Sequence, residues 1–280
     1  MGIELFLPDF GLQWNMEIPI YQVDAFASQL FRGNPAAVCP LSSWLPDKTL
    51  QSIAAENNLA ETAYYVRDNG RYQLRWFTPG VEVDLCGHAT VAAASVILET
   101  RREQPGPRVV FDSKSGELAV EKEGDLYSLD FPSRPPAECV VDPGLEAALK
   151  AKPTSVLGAR DYLCVFEDED QVRALAPDMD KLAVIDRFGF IATAPGKDCD
   201  FVSRFFAPGK GVPEDPATGS AHTTLTPYWS RRLGKEKLFG RQISARGGEL
   251  WCEDRGDRVK IAGRAIPYLE GIITVPDTSA

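Results

Sequence analysis

Arg75-Trp76-Phe77-Thr78-Pro79-Gly80 returns as Arg204-Phe205-Phe206-Ala207-Pro208-Gly209, 129 residues further on. A little later Gly87-His88-Ala89 returns as Gly219-Ser220-Ala221, now 132 residues on, so the second copy carries three extra residues before its glycine. Two matches in the same order point to an internal duplication, with coincidence between two Pro-Gly turns as the alternative. Each copy reads as a strand, a Pro-Gly turn, a glycine and a helix of small residues. The first of these helices, around His88-Ala-Thr-Val-Ala-Ala-Ala-Ser-Val-Ile97, is apolar or small on every face, the mark of a helix enclosed on all sides. Two similar α/β halves are expected to face each other across a cleft.

Working outward, strand signals lie at 18–26, 36–41, 62–67, 72–77, 108–112, 117–122 and 126–131, rich in β-branched and aromatic residues and bounded by Gly, Pro, Asn and Asp. Helices are expected at 46–57, with Pro46 in the first turn and Leu50, Ile53 and Ala54 on one face, and at 88–101. In the second half the strands fall at 162–167, 188–194, 199–206, 242–246, 249–253 and 258–264, and the helices at 170–176 and 219–234. Pro227 inside the last helix is expected to kink it. Pro132, Pro135, Pro136 and Pro143 mark a linker. The expected organisation is an extension over 1–15, one half over 16–132 and another over 133–280, with the active site between the halves.

The 280 residues suffice for one large or two medium domains, and 44% hydrophobic against 25% charged residues is ordinary globular composition. A net charge of −10 repels phosphate backbones and anionic lipid, which argues against nucleic-acid and membrane partners. No apolar run reaches the length of a membrane span. The N-terminal stretch has no basic region and is interrupted by Glu4 and Asp9, so it does not read as a secretory signal. Six scattered cysteines without a Cys-x-x-Cys pair suit a reducing cytoplasm, and two histidines without a thiolate cluster give no zinc signature.

The chemistry concentrates near the two glycine turns. Gly87 and Gly219 open predicted helices, and two helix N-termini facing one cleft would clamp a carboxylate. Ordinary capping by Ser220 is the alternative. Glu61 stands where a helix ends and a strand begins, flanked by Leu59, Ala60, Ala63 and Tyr64. Such surroundings are expected to raise its pKa and suit it to proton transfer, unless it is a solvated turn residue. The corresponding second-half strand, Phe188-Gly-Phe-Ile-Ala-Thr, has no carboxylate, so Glu61 breaks the pseudo-symmetry. Asp215 precedes its glycine by four residues and either points into the cleft or belongs to an acidic loop. Cys86 and Thr218 hold matching positions. A thiol at a helix start is either a base or a buried structural residue.

Gly33-Asn34-Pro35-Ala36-Ala37-Val38, Asn58-Leu59-Ala60-Glu61-Thr62, Phe77-Thr78-Pro79, Cys86-Gly87-His88-Ala89-Thr90 and Glu214-Asp215-Pro216-Ala217-Thr218-Gly219-Ser220-Ala221-His222 together resemble the phenazine-biosynthesis isomerase family, PhzF, over roughly residues 17–270. The resemblance implies an α+β fold of the diaminopimelate-epimerase-like kind, in two pseudo-symmetric halves, each a curved and mostly antiparallel sheet around a central helix. It implies a proton moved between carbons of trans-2,3-dihydro-3-hydroxyanthranilate by the glutamate of the N-L-x-E-T motif, here Glu61. His88, Asp215 and Ser220 stand at the family's other site positions. The resemblance implies no metal or organic cofactor, and a homodimer.

One departure bears on the substrate. The phenazine enzymes proper lack the cysteine at Cys86, whereas the wider superfamily of epimerases has one before each glycine. This chain has Cys86 and then Thr218. The expected reaction is a 1,3-proton shift in a small carboxylic acid held by Cys86, Gly87, Thr218, Gly219 and Ser220, with Glu61, His88 and Asp215 as the catalytic groups. An amino-acid racemase or epimerase using Cys86, and a non-catalytic protein that binds small acids, are the alternatives.

Overall fold

A computed structural model describes residues 14–103 and 105–276. The expected extension over 1–15 lies almost wholly outside the described residues. In chain order the first half comprises β1 (Trp14–Ala25), β2 (Asn34–Leu41), α1 (Asp47–Asn57), β3 (Glu61–Asp68), β4 (Arg71–Phe77), β5 (Glu82–Val83), α2 (Gly87–Ser95), β6 (Arg108–Ser113), β7 (Gly116–Glu123) and β8 (Leu126–Pro132). A π-helical turn, Val96–Thr100, extends α2. There follow α3 (Leu145–Leu149), β9 (Ser155–Gly158), β10 (Tyr162–Val165), α4 (Glu169–Ala174), α5 (Met179–Ala183), β11 (Phe190–Pro195), β12 (Phe201–Ala207), β13 (Val212–Asp215), α6 (Gly219–Leu233), β14 (Lys237–Gln242), β15 (Gly248–Asp254), β16 (Arg258–Gly263) and β17 (Ala265–Pro276).

The duplication read from two short motifs extends through the whole pairing pattern. In the first half β1 is antiparallel to β2, β2 parallel to β3, β3 antiparallel to β4, and β4 parallel to β6, with β5 attached to β4 and β6, β7 and β8 forming a meander. The same sequence of pairings runs from β9 to β16, with β13 attached to β12. Antiparallel pairing of β8 with β16 fuses the two sheets into one, and β17 returns along the length of β1. Side-chain chemistry repeats too: Arg75 grips Glu82 through Nε at 2.7 Å, and Arg204 grips Glu214 at the same distance.

Every side chain of α2 from His88 to Ser95 is buried, five of them alanine or valine. Small residues let the strands curl tightly around the helix, and no polar face has to reach water. In α6 the corresponding face carries Ala221, Leu225 and Trp229, and one apolar core runs through both halves. α6 runs through Pro227 without interruption. Proline has no N–H for the carbonyl four residues back. That carbonyl, on Thr223, instead accepts the backbone N–H of Arg134 at 2.9 Å, so the linker docks where the helix lacks a donor.

The expected strand at 242–246 is displaced: β14 occupies Lys237–Gln242, and the chain then turns through Gly247 at φ +71°. Gly240 makes this register possible, because a Cβ there would lie 2.4 Å from the Phe201 ring. The sequence reading also missed β17. Its alternation is masked by exposed Tyr268, Leu269 and Ile272, which read as core residues but face outward.

Candidate active site

Glu61 is placed by the end of α1 and the register of β3. Asn58 caps α1 in the left-handed conformation, φ 49°, and turns the chain into β3. Parallel pairing sets Glu61 beside Ala36, at the same end of the sheet as Asn34. α2 begins at the facing position with Cys86 as its N-cap. Glu61 Oε2 lies 3.1 Å from His88 Nε2, and Cys86 Sγ lies 3.5 Å from His88 Nδ1. Glu61 Oε2 is buried and has no hydrogen-bond partner of good geometry.

Asp215 enters from the second half, at the end of β13. Asn34 Nδ2 donates to its Oδ1 at 2.7 Å and to the Ala217 carbonyl at 3.1 Å. Thr218 Oγ1 donates to Asp215 Oδ2 at 2.5 Å. Gln242 ties the turn together, accepting from the Thr218 N–H at 2.8 Å and donating to the Asp215 carbonyl at 2.6 Å. The Asn34 contact crosses between the halves and is braced from behind. Arg246 of the second half donates to the Gly33 carbonyl at 2.9 Å and to buried Asp24 at 2.7 Å.

The side chains of Cys86 and Thr218 make no capping bond to their own helices. Gly87 and Gly219 follow them, each as a helix's first residue. Ser220 is not engaged in capping either: its Oγ accepts from Arg160 Nη2 at 3.1 Å, and Arg160 lies over the Phe188 ring at 4.0 Å. The first-turn amides of both helices are thus left without a side-chain oxygen from their own caps, the condition under which a helix N-terminus attracts an anion.

The charge states differ from the sequence expectation at Glu61. Burial pushes its carboxyl up, as expected, but the facing His88 imidazolium and the Cys86 thiol outweigh it and hold Glu61 below its ordinary value. Burial pushes His88 down, yet the facing Cys86 and Glu61 raise it well above an ordinary imidazole. The Cys86 thiol is pushed up to about 11 by burial and by Glu61, so it is neutral near pH 7 and Glu61 is the charge that keeps His88 protonated. The resting cluster is therefore carboxylate, imidazolium and thiol. Asp215 is pushed up to about 6 by burial, against the pull of His88, Thr218 and Asn34.

That shift has a measurable consequence. An unfolded aspartate titrates near 3.9, about 2 units lower, so the folded state favours the protonated form. The contribution of Asp215 to stability is largest below about pH 4 and declines as pH rises through about 6. Asp215→Asn is expected to stabilise the fold by about 1–2 kcal/mol above pH 7, discounted for partial exposure, and to lose that advantage by about pH 4. Urea unfolding of both proteins at pH 8 and pH 4 measures it; equal midpoints at pH 8 would contradict a strained Asp215 carboxylate.

The residues that sequence reasoning passed over are Asn34, Gln242 and Arg246. Asn34 lay within a quoted motif, Gly33-Asn34-Pro35, but nothing in the sequence indicated that it would reach Asp215, 181 residues away.

A profile of the PhzC-PhzF family, described as phenazine biosynthesis-like protein, matches residues 23–271. This chain belongs to the PhzF family. An uncharacterised isomerase of Pseudomonas aeruginosa is 52% identical over 258 residues, covering 92% of this chain and 99% of that one. The crystal structure of a PhzF-family protein of Enterococcus faecalis superposes with a TM-score of 0.90 at 45% identity, over 93% of this chain and 100% of the other. A hydroxyproline epimerase from Agrobacterium vitis shares the fold at a TM-score of 0.58, covering 95% of each chain at 10% identity, a likeness of fold alone. As a PhzF protein the chain is an isomerase, which sets aside the non-catalytic alternative. Among the described residues no helix is long and apolar enough to cross a membrane.

Proposed function

We propose that the chain is a cofactor-independent isomerase that shifts a proton between two carbons of a small carboxylic acid, of the kind represented by trans-2,3-dihydro-3-hydroxyanthranilate. The observation that carries this reading is the half-buried Glu61 carboxylate, whose buried Oε2 lies 3.1 Å from the His88 imidazolium.

The first-turn amides at Gly87 and Gly219 hold the substrate carboxylate, with Ser220 and Arg160 beside them. Glu61, kept ionised by His88, removes a proton from the neighbouring carbon. Charge that develops on the substrate is met by the His88 imidazolium, a preorganised donor in a water-poor site. Glu61, now a carboxylic acid whose proton exchanges with solvent, delivers a proton to a second carbon, and the double bond migrates. Asp215, held by Asn34 and Thr218, accepts from a hydroxyl or amino group of the substrate and keeps the second carbon within reach.

A second reading is supported by Cys86 Sγ at 3.5 Å from His88. As a neutral thiol it is an acid that could protonate the opposite face of a stereocentre, which would make the enzyme a racemase or epimerase. Proton NMR in deuterated water, with trans-2,3-dihydro-3-hydroxyanthranilate and a panel of amino and keto acids, separates the two. Under the first reading Cys86→Ser keeps turnover within about tenfold, because the thiol transfers no proton. Loss of nearly all turnover in that variant, with label entering at one stereocentre, would establish the second. No change in any compound of the panel would withdraw the proposed substrate class.

We also place the protein in the cytoplasm, where its six free cysteines stay reduced. We read it as a homodimer, the exposed Tyr268, Leu269 and Ile272 on β17 supplying apolar contact surface.

A further inference from the structure

The second half presents a guanidinium where the first half presents its acid. Phe77 pairs with Thr62, and Phe206, its repeat, pairs with Phe190, so Gly189 stands at the position of Glu61. Asp161 fills the space that a side chain there would take: its Oδ1 lies 3.1 Å from where a Gly189 Cβ would be. Asp161 is buried and holds Arg160, which donates to it through Nε at 3.3 Å and Nη2 at 3.2 Å. Nη2 also reaches Ser220, the residue that matches His88, at 3.1 Å. Glu61 meets His88 in one half, and Arg160 meets Ser220 in the other.

Arg160 is fixed on two sides and open on the third. The centroid of the Phe188 ring lies 4.0 Å from the guanidinium, and Asp161 and Ser220 together take three of its five N–H groups. The two on Nη1 have no partner among the described residues, and the side chain is 29% exposed. Exposure rises outward along this row. Thr218 and Gly219 are buried, Ser220 and Arg160 are half-buried, and Phe188 is exposed. The open edge of the fork therefore lies between the buried first-turn amides of α6 and solvent.

Positive charge is in excess at this place. Arg134 is docked one turn into α6 by its N–H to the Thr223 carbonyl. Burial and the facing Arg160 cation hold its guanidinium below the ordinary value, and Asp161 offsets them only in part. Lys210 Nζ lies 5.8 Å from the Phe188 ring centroid. Three cations thus share one carboxylate, on a chain whose net charge is −10. A carboxylate at Nη1 would gain charge-assisted hydrogen bonds and relieve that repulsion.

We infer that Arg160 receives a second acidic group of the substrate, which makes the substrate class a dicarboxylic acid. The inference rests on the proposed clamp and narrows its substrate class: one carboxylate goes to the first-turn amides and the other to Nη1. The sequence hides Arg160, because it stands in a short loop and meets Ser220 from 60 residues away.

Binding tests this without turnover. Isothermal titration calorimetry compares succinate, glutarate and adipate with butyrate, pentanoate and hexanoate, the monoacids of equal carbon number. At least one diacid is expected to bind about 10–100-fold more tightly than its monoacid, the usual contribution of a hydrogen bond to a charged group. Arg160→Gln should remove that advantage and change monoacid affinity by less than about threefold, since a charge at the cleft mouth is screened from the inner carboxylate. If Arg160→Gln fails to fold, Arg160→Lys keeps a cation beside Asp161 but loses the fork, and should cut the advantage at least about threefold. Equal affinities for diacids and monoacids in the unaltered protein would overturn the second subsite and leave the clamp standing. No binding of any acid would remove the clamp, and the inference with it. An equal loss for both kinds of acid in Arg160→Gln would make Arg160 a support of the α6 terminus instead. Tighter binding of 3-phosphonopropionate than of every diacid would overturn the assignment to a carboxylate.

Discussion

Glu61→Gln is expected to lower isomerisation and solvent-deuterium exchange by about 10²–10⁴-fold, the usual contribution of a positioned general base. The substitution is nearly isosteric, so β3 and its pairing with β2 should persist. What changes is charge. The amide cannot accept a proton, and His88 loses the carboxylate that holds its pKa up. A buried imidazole without a counter-ion deprotonates, so the variant loses both the base and the cationic donor facing the substrate. Circular dichroism and the urea midpoint should stay close to the unaltered protein while turnover falls. A variant that turns over at the original rate would remove Glu61 from the reaction. Equal loss of turnover and of stability would make it a structural residue.

Gly33→Ala is expected to produce the largest loss of stability, about 2–5 kcal/mol, from left-handed backbone strain together with overpacking. Gly33 has φ +66°, and a Cβ built on it would stand 2.2 Å from the Ala25 carbonyl oxygen and 2.8 Å from the Ala27 side chain. Ala25 lies within β1, so the obstacle is backbone and cannot rotate aside. The same residue bridges the halves through its N–H to the Gly247 carbonyl at 2.7 Å. Relief of the clash must therefore move Asn34, and with it the 2.7 Å bond to Asp215. Activity should fall beyond what unfolding alone explains, even at temperatures where the variant is fully folded. Denaturant midpoints and turnover at 10 °C measure the two effects separately. An unchanged midpoint would mean that the turn relaxes freely and does not fix Asn34.

Much of the fold was legible because a duplicated pattern is a local signal written twice. The Arg75 and Arg204 hexapeptides and the two glycine turns established the number of halves and their central helices. The strands alternating around buried cores followed from β-branched and aromatic runs. β17 was not legible, because its outward-facing Leu269 and Ile272 carry the apolar signal that usually means core. For the site, Glu61, Cys86, His88, Asp215 and Thr218 stood beside recognisable punctuation. Asn34, Gln242 and Arg246 act through contacts made only after the halves meet, and local sequence holds no trace of such distances. Nor does it show the sign of a pKa shift. Apolar neighbours argued for a raised Glu61, and His88 and Cys86, brought in from another segment, reversed it.

The return of β17 along β1 fixes the order in which the molecule can be finished. Trp14 pairs opposite Pro276 and Ala25 opposite Ala265, so the first described strand lies against the last. During synthesis β1 leaves the ribosome early and waits with one edge open while some 240 residues follow. Folding of the first half cannot be completed as a nascent unit, because its closing strand is still unmade. Throughout that interval the uncovered edge can pair with a neighbouring chain, and a chaperone that shields it has until the last strand appears to do so.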